Sequence, residues 1–225
     1  MSRSRPLPGG GRAVEVEPER LVGFLQRFAD THGGAQRCTS GPAEVRVDAG
    51  DGSVATVAVP FVPVDLRDGT STVVRHGLDV EELVAHLVAP RTVGLVLVRL
   101  GGYSVGVVRD GAVLAAKTGS RPVHGRNSAG GQSQQRFARR REGQARVALQ
   151  AAADAVARVV LPRAAELDGV VLGGDRAALR ALAGDRRLAA LLDRAEPRVL
   201  EVGEPRRAVL DDAARRVRNV EVQLR

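Results

Sequence analysis

Residues 92–119 read TVGLVLVRLGGYSVGVVRDGAVLAAKTG and contain three apolar runs separated by two glycine-containing turns. The turns lie at Gly101-Gly102 and at Asp110-Gly111. Asp-Gly between alternating apolar runs is a strong hairpin signal, because both central residues of the tight turn need a positive φ. The stretch therefore predicts three antiparallel strands, over 93–100, 102–109 and 112–118.

The C-terminal part of the sequence alternates between strand and helix patterns. GVVLGG (169–174) and PRVLEV (197–202) are short apolar runs, and helical patterns follow over 175–194 and 205–219. Asp175 is expected to cap the first of these helices after a tight glycine turn. Strands joined through helices pair in parallel by a right-handed crossover. The predicted fold class is α/β, with the antiparallel meander and the parallel strands in one mixed sheet flanked by helices.

A long helix is predicted to follow the meander, after a mobile glycine-rich loop. Ala148, Ala152 and Val156 recur at intervals of four and belong to one apolar stripe over 133–161. Ser133 is a natural N-cap for this helix. The loop therefore leaves the end of a sheet and enters a helix.

The N-terminal part gives weaker patterns. Residues 1–13 are mostly arginine, glycine, proline and serine and are expected to be disordered. Helices are predicted over 17–31 and 79–89, and strands over 43–49 and 54–61. The sequence shows no internal repeat and no second domain, so residues 14–225 are interpreted as a single domain, which the resemblance described below would make release-factor-like and catalytic.

The composition excludes several classes of protein. Hydrophobic residues make up 44% of the 225 residues but aromatic residues only 2%, so the core must consist of valine, leucine and alanine. No run of 18 apolar residues occurs, so no membrane association is expected. Cys38 is the single cysteine, which excludes an intramolecular disulfide and a multi-cysteine metal site. The N-terminus has no apolar signal segment, and a cytoplasmic location is expected.

Positive charge is concentrated in one segment. The net charge of the chain is +8, and residues 121–146 contain seven arginines and one acid, Glu142, a net charge of +6. A phosphate backbone would relieve the repulsion among these arginines. Phe137 is the only aromatic residue in the segment, which favours backbone contacts to structured RNA over base stacking. The alternatives are a solvated basic helix and a GC-rich genome that favours arginine over lysine.

Gly130-Gly131-Gln132 forms the centre of this segment. Two glycines allow backbone angles that other residues avoid, and they let the chain approach a ligand closely. The Gln132 amide carries no charge and cannot act as a general base at neutral pH. It can orient a water molecule, and its backbone N–H can stabilise a developing oxyanion. The tripeptide alone is a weak signal.

Three motifs in register strengthen this signal. His124-Gly125-Arg126, Gly130-Gly131-Gln132-Ser133 and Arg136-Phe137-Ala138-Arg139 follow one another along the chain. The pattern resembles the catalytic loop and following helix of the class-I peptide-chain release factors of eukaryotes and archaea. Here Asn127-Ser128-Ala129 lengthen the loop, and the chain has no room for a stop-codon-reading domain. A stand-alone domain of this kind is similar to the Vms-type release-factor-like tRNA hydrolases of ribosome quality control, in particular their actinobacterial branch.

The resemblance leaves two glutamines as candidates. The release-factor alignment selects Gln132, because Ser133 and the Arg-Phe-Ala-Arg motif then match in register. The Vms-type pattern, Gly-x-x-Gln, is also satisfied by 131–134 and selects Gln134, which would lie in the first helical turn and be less free to reach a substrate.

The resemblance implies a peptidyl-tRNA hydrolase that acts as a codon-independent release factor. It would cleave the ester between nascent peptide and tRNA on stalled ribosomes or ribosomal subunits. The implied partners are the large ribosomal subunit, peptidyl-tRNA and rRNA, with no cofactor, no metal and no DNA. The catalytic candidates are Gly130, Gly131, Gln132 and Gln134. The RNA-binding candidates are Arg121, His124, Arg126, Arg136, Arg139 and Arg140.

Two other functions fit the sequence less well. One is a non-catalytic ribosome- or RNA-binding quality-control factor that uses the same basic segment. The other is a metal-dependent nuclease, which no cluster of carboxylates supports.

Overall fold

The computed structural model describes residues 4–66, 71–99, 101–120 and 132–225, and over 132–142 it describes the backbone only. The first elements are β1 (Ser4–Pro6), β2 (Arg12–Val16), α1 (Pro18–Thr31), β3 (Ala35–Ser40), β4 (Glu44–Ala49), β5 (Val54–Ala58), β6 (Val73–His76) and α2 (Glu81–Val88). The next are β7 (Thr92–Arg99), β8 (Gly102–Arg109), β9 (Ala112–Ser120) and α3 (Gln132–Val159). The last are β10 (Gly169–Gly174), α4 (Arg176–Ala183), α5 (Ala189–Leu192), β11 (Ala195–Leu200), α6 (Arg207–Arg216) and β12 (Val220–Leu224).

The chain divides into two compact units, where the sequence predicts a single domain. The first unit comprises residues 1–89 and 218–225, and the second comprises residues 90–217. The second unit is therefore inserted, along the chain, between α2 and the C-terminal strand of the first unit.

The first unit contains a seven-stranded antiparallel sheet in the order β1-β2-β12-β5-β4-β3-β6. Leu21, Leu25 and Phe28 of α1 and Leu83 and Leu87 of α2 pack in its core. These side chains share one cluster with alternate strand residues, so both helices cover the same face of the sheet. The other face carries the polar residues that alternate with the buried valines.

Several predictions for this unit are wrong. The tail over 1–13 is not disordered throughout, because Ser4–Pro6 pairs with Arg12–Val14. The helix predicted over 205–219 ends at Arg216, within the second unit, and the strand β12 of the first unit begins at Val220. Strands β2, β3, β6 and β12 have no counterpart in the prediction, because their short sequences alternate too weakly to stand out without their partners.

The second unit confirms the predicted mixed sheet. Its strand order is β11-β10-β7-β8-β9. β7, β8 and β9 form the antiparallel meander, whereas β10 pairs in parallel with β7 and β11 pairs in parallel with β10. Asp110 and Gly111 have φ angles of 50° and 82°, as the Asp-Gly hairpin requires.

Helices cover both faces of this sheet. Alanines of α3 and the apolar face of α4 pack with Val96, Val98, Val105 and Val107. On the opposite face, a Cβ added at Gly106 would lie 3.2 Å from Leu210 of α6. The helix predicted over 175–194 is two helices, because Asp185 accepts hydrogen bonds from the backbone N–H of Arg187 through Oδ1 and from that of Leu188 through its carbonyl.

Candidate functional site

One edge of the second unit's sheet brings together the ends of four strands. β9 runs antiparallel to β8, and β8 runs antiparallel to β7, so β9 is parallel to β7. The carboxyl ends of β7, β9, β10 and β11 therefore lie at the same edge. In open α/β sheets this is the edge at which ligands bind. The glycine-rich segment begins directly after Ser120, at this edge.

The end of β9 is fixed by the packing of an aromatic ring. Tyr103, the only tyrosine in the chain, pairs across the strands with Gly119. A Cβ added at Gly119 would lie 2.5 Å from the Oη and Cζ atoms of Tyr103, so only glycine leaves room for the ring. Tyr103 is 8% exposed and belongs to the core cluster that includes α3. The last residues of β9 are thereby held against the sheet.

Helix α3 is anchored through its C-terminal half. Its 28 residues extend about 42 Å along the helix axis. Ala152, Ala155 and Val156 are buried in the core. Asp154 accepts a hydrogen bond of 2.9 Å from the Nη2 atom of Arg187, which also contacts Asp185. The Arg187 hydrogen bond lowers the pKa of the Asp154 carboxyl, so the ion pair persists into mildly acidic solution.

The predicted site residues divide into two groups. Gln132, Gln134, Arg136, Arg139 and Arg140 lie on α3, the two glutamines in its first turn. The structure places their backbone only. The other predicted site residues and the predicted mobile loop lie outside the described residues, namely Arg121, His124, Arg126, Gly130 and Gly131.

The start of α3 differs from the prediction by one residue. The helix begins at Gln132, so Ser133 lies inside the helix and is not its N-cap. Both candidate glutamines therefore have helical backbone. The release-factor alignment implied that Gln132 lies in the loop, whereas the structure places its backbone in the first turn of α3.

A cleft that the sequence does not predict lies at this same edge of the sheet. The cleft has a volume of about 190 Å³. Its lining residues are Val98, Arg99, Gly101, Ala145, Ala148, Leu149, Asp175, Ala177 and Ala178. They come from the end of β7, the middle of α3 and the start of α4, so no local motif could reveal the cleft.

The turn before α4 forms one wall of the cleft. Asp175 caps the helix, because its Oδ1 accepts a hydrogen bond of 2.9 Å from the backbone N–H of Ala177, which confirms the predicted cap. Gly174 has a φ of 107°, and a Cβ there would collide with the carbonyl of Val98. The glycine therefore lets the turn approach β7 closely.

Cys38 and His86 each lie within hydrogen-bond distance of a backbone carbonyl oxygen. Cys38 is buried, and its Sγ lies 2.9 Å from the carbonyl oxygen of Asp79. The Nε2 atom of His86 lies 2.9 Å from the carbonyl oxygen of Pro60.

Within the described part of the chain, no group of three or more His, Cys, Asp or Glu side chains is arranged to hold a metal ion. No described helix combines the length and the apolar character needed to span a bilayer.

Comparison with protein families identifies the class of this chain. Residues 91–223 match a family model of release factors, so the chain is a release-factor-like protein. The model is that of the Actinobacteria/chloroflexi VLRF1 release factors, acVLRF1, and because it covers more than half of the chain, the protein belongs to this family. The resemblance inferred from the loop motifs is confirmed. Membership places the chain among release factors.

Solved structures give distant similarities. An archaeal protein matches with a TM-score of 0.39 and 13% identity, over 72% of this chain and 46% of that protein. The archaeal translation termination factor aRF1 matches with a TM-score of 0.41 and 12% identity, over 88% of this chain and 69% of the factor. Dom34 of S. cerevisiae, a translation termination-like factor, matches with a TM-score of 0.34 and 8% identity, over 93% and 65% respectively. The chain thus spans less than half of the first of these proteins, and no curated protein matches it.

Proposed function

We propose that this protein is a peptidyl-tRNA hydrolase that releases nascent peptides from stalled ribosomes or ribosomal subunits without reading a codon. The observation that carries the proposal is the motif Gly130-Gly131-Gln132-Ser133 at the start of α3 in a chain of the VLRF1 release-factor family. The substrate is the ester between peptide and tRNA. The site of action is the large subunit, in the cytoplasm, and no cofactor or metal takes part.

The chemistry requires a neutral group that organises water. A glutamine amide both donates and accepts hydrogen bonds, so it can hold a water molecule against the ester carbonyl. The free N–H groups of the first turn of α3 form a partly positive helix end that stabilises a developing oxyanion. Gln132 is the first candidate for this role and Gln134 the second, and Gly130 and Gly131 permit close approach of the backbone.

The arginines of α3 supply the affinity for RNA. Arg136 and Arg140 are four residues apart and therefore lie on one face of the helix, with Arg139 beside them. Arg121, His124 and Arg126 add charge at the other end of the loop sequence. Contacts from guanidinium groups to the phosphates of rRNA and tRNA release counterions, so binding should weaken steeply with salt.

Release of peptide from stalled nascent-chain complexes tests the catalytic part of the proposal. Gln132→Ala should lower the release rate by roughly 10²–10³ while ribosome binding is retained, as for the loss of one oxyanion donor. Gln144→Ala, a change of the same type further along α3, is the matched control and should release peptide normally. If Gln134→Ala rather than Gln132→Ala is inactive, the Vms-type alignment is correct. Normal release by both variants would exclude a catalytic glutamine.

A second experiment tests the RNA contacts. Changing Arg136, Arg139 and Arg140 together to Ala should reduce the slope of log affinity against log salt by roughly 2. An unaltered slope would exclude these arginines from the interface.

One observation favours a second function, that of a non-catalytic ribosome-binding factor. Both candidate glutamines lie in the first turn of α3, where the helical backbone limits their reach. Such a factor would bind stalled complexes with the same salt dependence but would release no peptide. Hydrolysis of free peptidyl-tRNA without added divalent metal would establish the enzyme and exclude the metal-dependent nuclease.

A further inference from the structure

The cleft between β7, α3 and α4 has the character of a nucleotide site. Its walls are apolar side chains of Val98, Ala148, Leu149 and Ala178. A volume of about 190 Å³ is smaller than the ~300–1,000 Å³ of sites for whole cofactors. The cleft therefore admits a single ring system.

Arg99 is the one basic side chain among the described lining residues of the cleft. Arg99 is exposed at the rim, and its guanidinium is fixed because Nη1 donates a hydrogen bond of 2.8 Å to the carbonyl oxygen of Val202. Arg146 follows the lining residue Ala145 in α3 and is exposed, but it does not line the cleft. Asp175 is the one acid among the described lining residues, and its Oδ1 accepts the capping hydrogen bond from α4. The Arg99 guanidinium carries five N–H donors, so it can bind a phosphate in addition to the Val202 carbonyl.

The basic segment of α3 precedes the cleft residues on the same helix. Arg139, Arg140 and Arg141 precede Ala145 by four to six residues, about one to two helical turns. Gln132 precedes Ala145 by about 20 Å along the helix axis. An RNA strand that follows α3 would therefore reach the cleft.

We propose that this cleft binds one unstacked nucleotide of single-stranded RNA, with the base between the apolar walls and a flanking phosphate on Arg99. The proposal rests on the proposed function only in taking RNA as the partner. A single splayed-out base is the form in which proteins recognise unpaired RNA. Here aliphatic walls replace the stacked aromatic rings that the sequence lacks. The cleft would then dock the protein on an unpaired position of rRNA or tRNA, away from the hydrolytic residues.

Substitutions on α4 test the cleft directly. Ala177 is exposed and lines the cleft, so Ala177→Leu fills it without disturbing the core. Ala181→Leu makes the same change one turn further on, at an exposed residue that does not line the cleft. Thermal unfolding of both variants establishes that they are folded.

The probes are an eight-nucleotide single-stranded RNA and the same oligonucleotide without bases, measured by fluorescence anisotropy. The wild-type protein should bind the complete oligonucleotide at least about fivefold more tightly, because the base buries apolar surface. Ala177→Leu should abolish this difference and Ala181→Leu should preserve it. Equal affinity of the wild-type protein for both oligonucleotides would overturn the proposal. The ligand of the cleft would then be an apolar side chain of a partner protein. An unchanged preference in folded Ala177→Leu would also overturn it.

The two proposals can fail separately. Peptide release by Gln132→Ala and Gln134→Ala reports on hydrolysis and does not depend on the base. If hydrolysis is absent but the preference for intact bases requires an open cleft, the nucleotide site stands without the enzyme.

Discussion

Substitution of Val222, in the C-terminal strand β12, should destabilise the first unit. Val222 is fully buried in β12, and its Cα partners are Val14 on one side and Val57 on the other. Val222→Ala removes two methyl groups at about 0.8 kcal/mol each, and a residual cavity adds to this loss. The free energy of unfolding of the first unit should therefore fall by about 2 kcal/mol. Gln223→Ala, one residue further on the opposite face, should change it by less than about 0.5 kcal/mol.

Each unit contains its own natural reporter for this experiment. Cys38 is the only cysteine and is buried in the first unit, where desolvation raises the pKa of its thiol. Tyr103 is the only tyrosine and lies in the second unit. In Val222→Ala the labelling of Cys38 through opening of the first unit should become roughly 30-fold faster, which corresponds to about 2 kcal/mol. Unchanged labelling of Cys38, or an equal effect in Gln223→Ala, would refute the placement of β12 in this core.

Three further predictions concern single contacts. Gly119→Val should force the Tyr103 ring out of its site and destabilise the second unit by about 2 kcal/mol, measured by denaturant unfolding followed by tyrosine fluorescence; an unchanged midpoint would contradict the close approach. The pKa of Asp51 is lowered from 3.8 to about 2, mainly by its hydrogen bond with His32, so its stabilising effect is present above about pH 4 and is lost as the pH falls towards 2. His32→Ala should raise the pKa of Asp51 towards 3.8 in a carboxyl NMR titration, and a titration identical to that of the wild-type protein would exclude the contact. Gly111→Ala should cost about 1 kcal/mol, because φ is 82° there, and equal stability of the variant would mean that the turn has another geometry.

The second unit was predictable because its signals are local. Asp110-Gly111 fixes a hairpin within a few residues, and the alternation of strand and helix after 169 fixes a parallel crossover. Asp175 was identified as a cap from its position alone, and its hydrogen bond to the backbone N–H of Ala177 confirms it. The motif around Gln132 is likewise local, because its residues lie close together in the sequence at the spacing found in release factors.

The cleft could not be predicted in the same way. Val98, Ala148 and Ala177 are widely separated in the sequence and meet only because β7, α3 and α4 pack together. Each of these residues, taken alone, is of a type that is common in protein cores and on protein surfaces. The sequence also does not predict that α3 begins at Gln132. Ser133 is a favourable N-cap residue, so the pattern predicts a helix that begins there.

The sequence by itself determined the mixed sheet of the second unit, the family motif and the concentration of arginine, because all three are written in contiguous residues. Only the tertiary structure decided that β12 lies inside the sheet of the first unit, between β2 and β5. Residues 220–224 pair with 12–16 and 55–58 across the whole length of the chain, and such pairing depends on backbone hydrogen bonds and buried valines supplied by distant strands. A five-residue segment contains too little alternation to specify its partners, so its strand exists only in the assembled sheet.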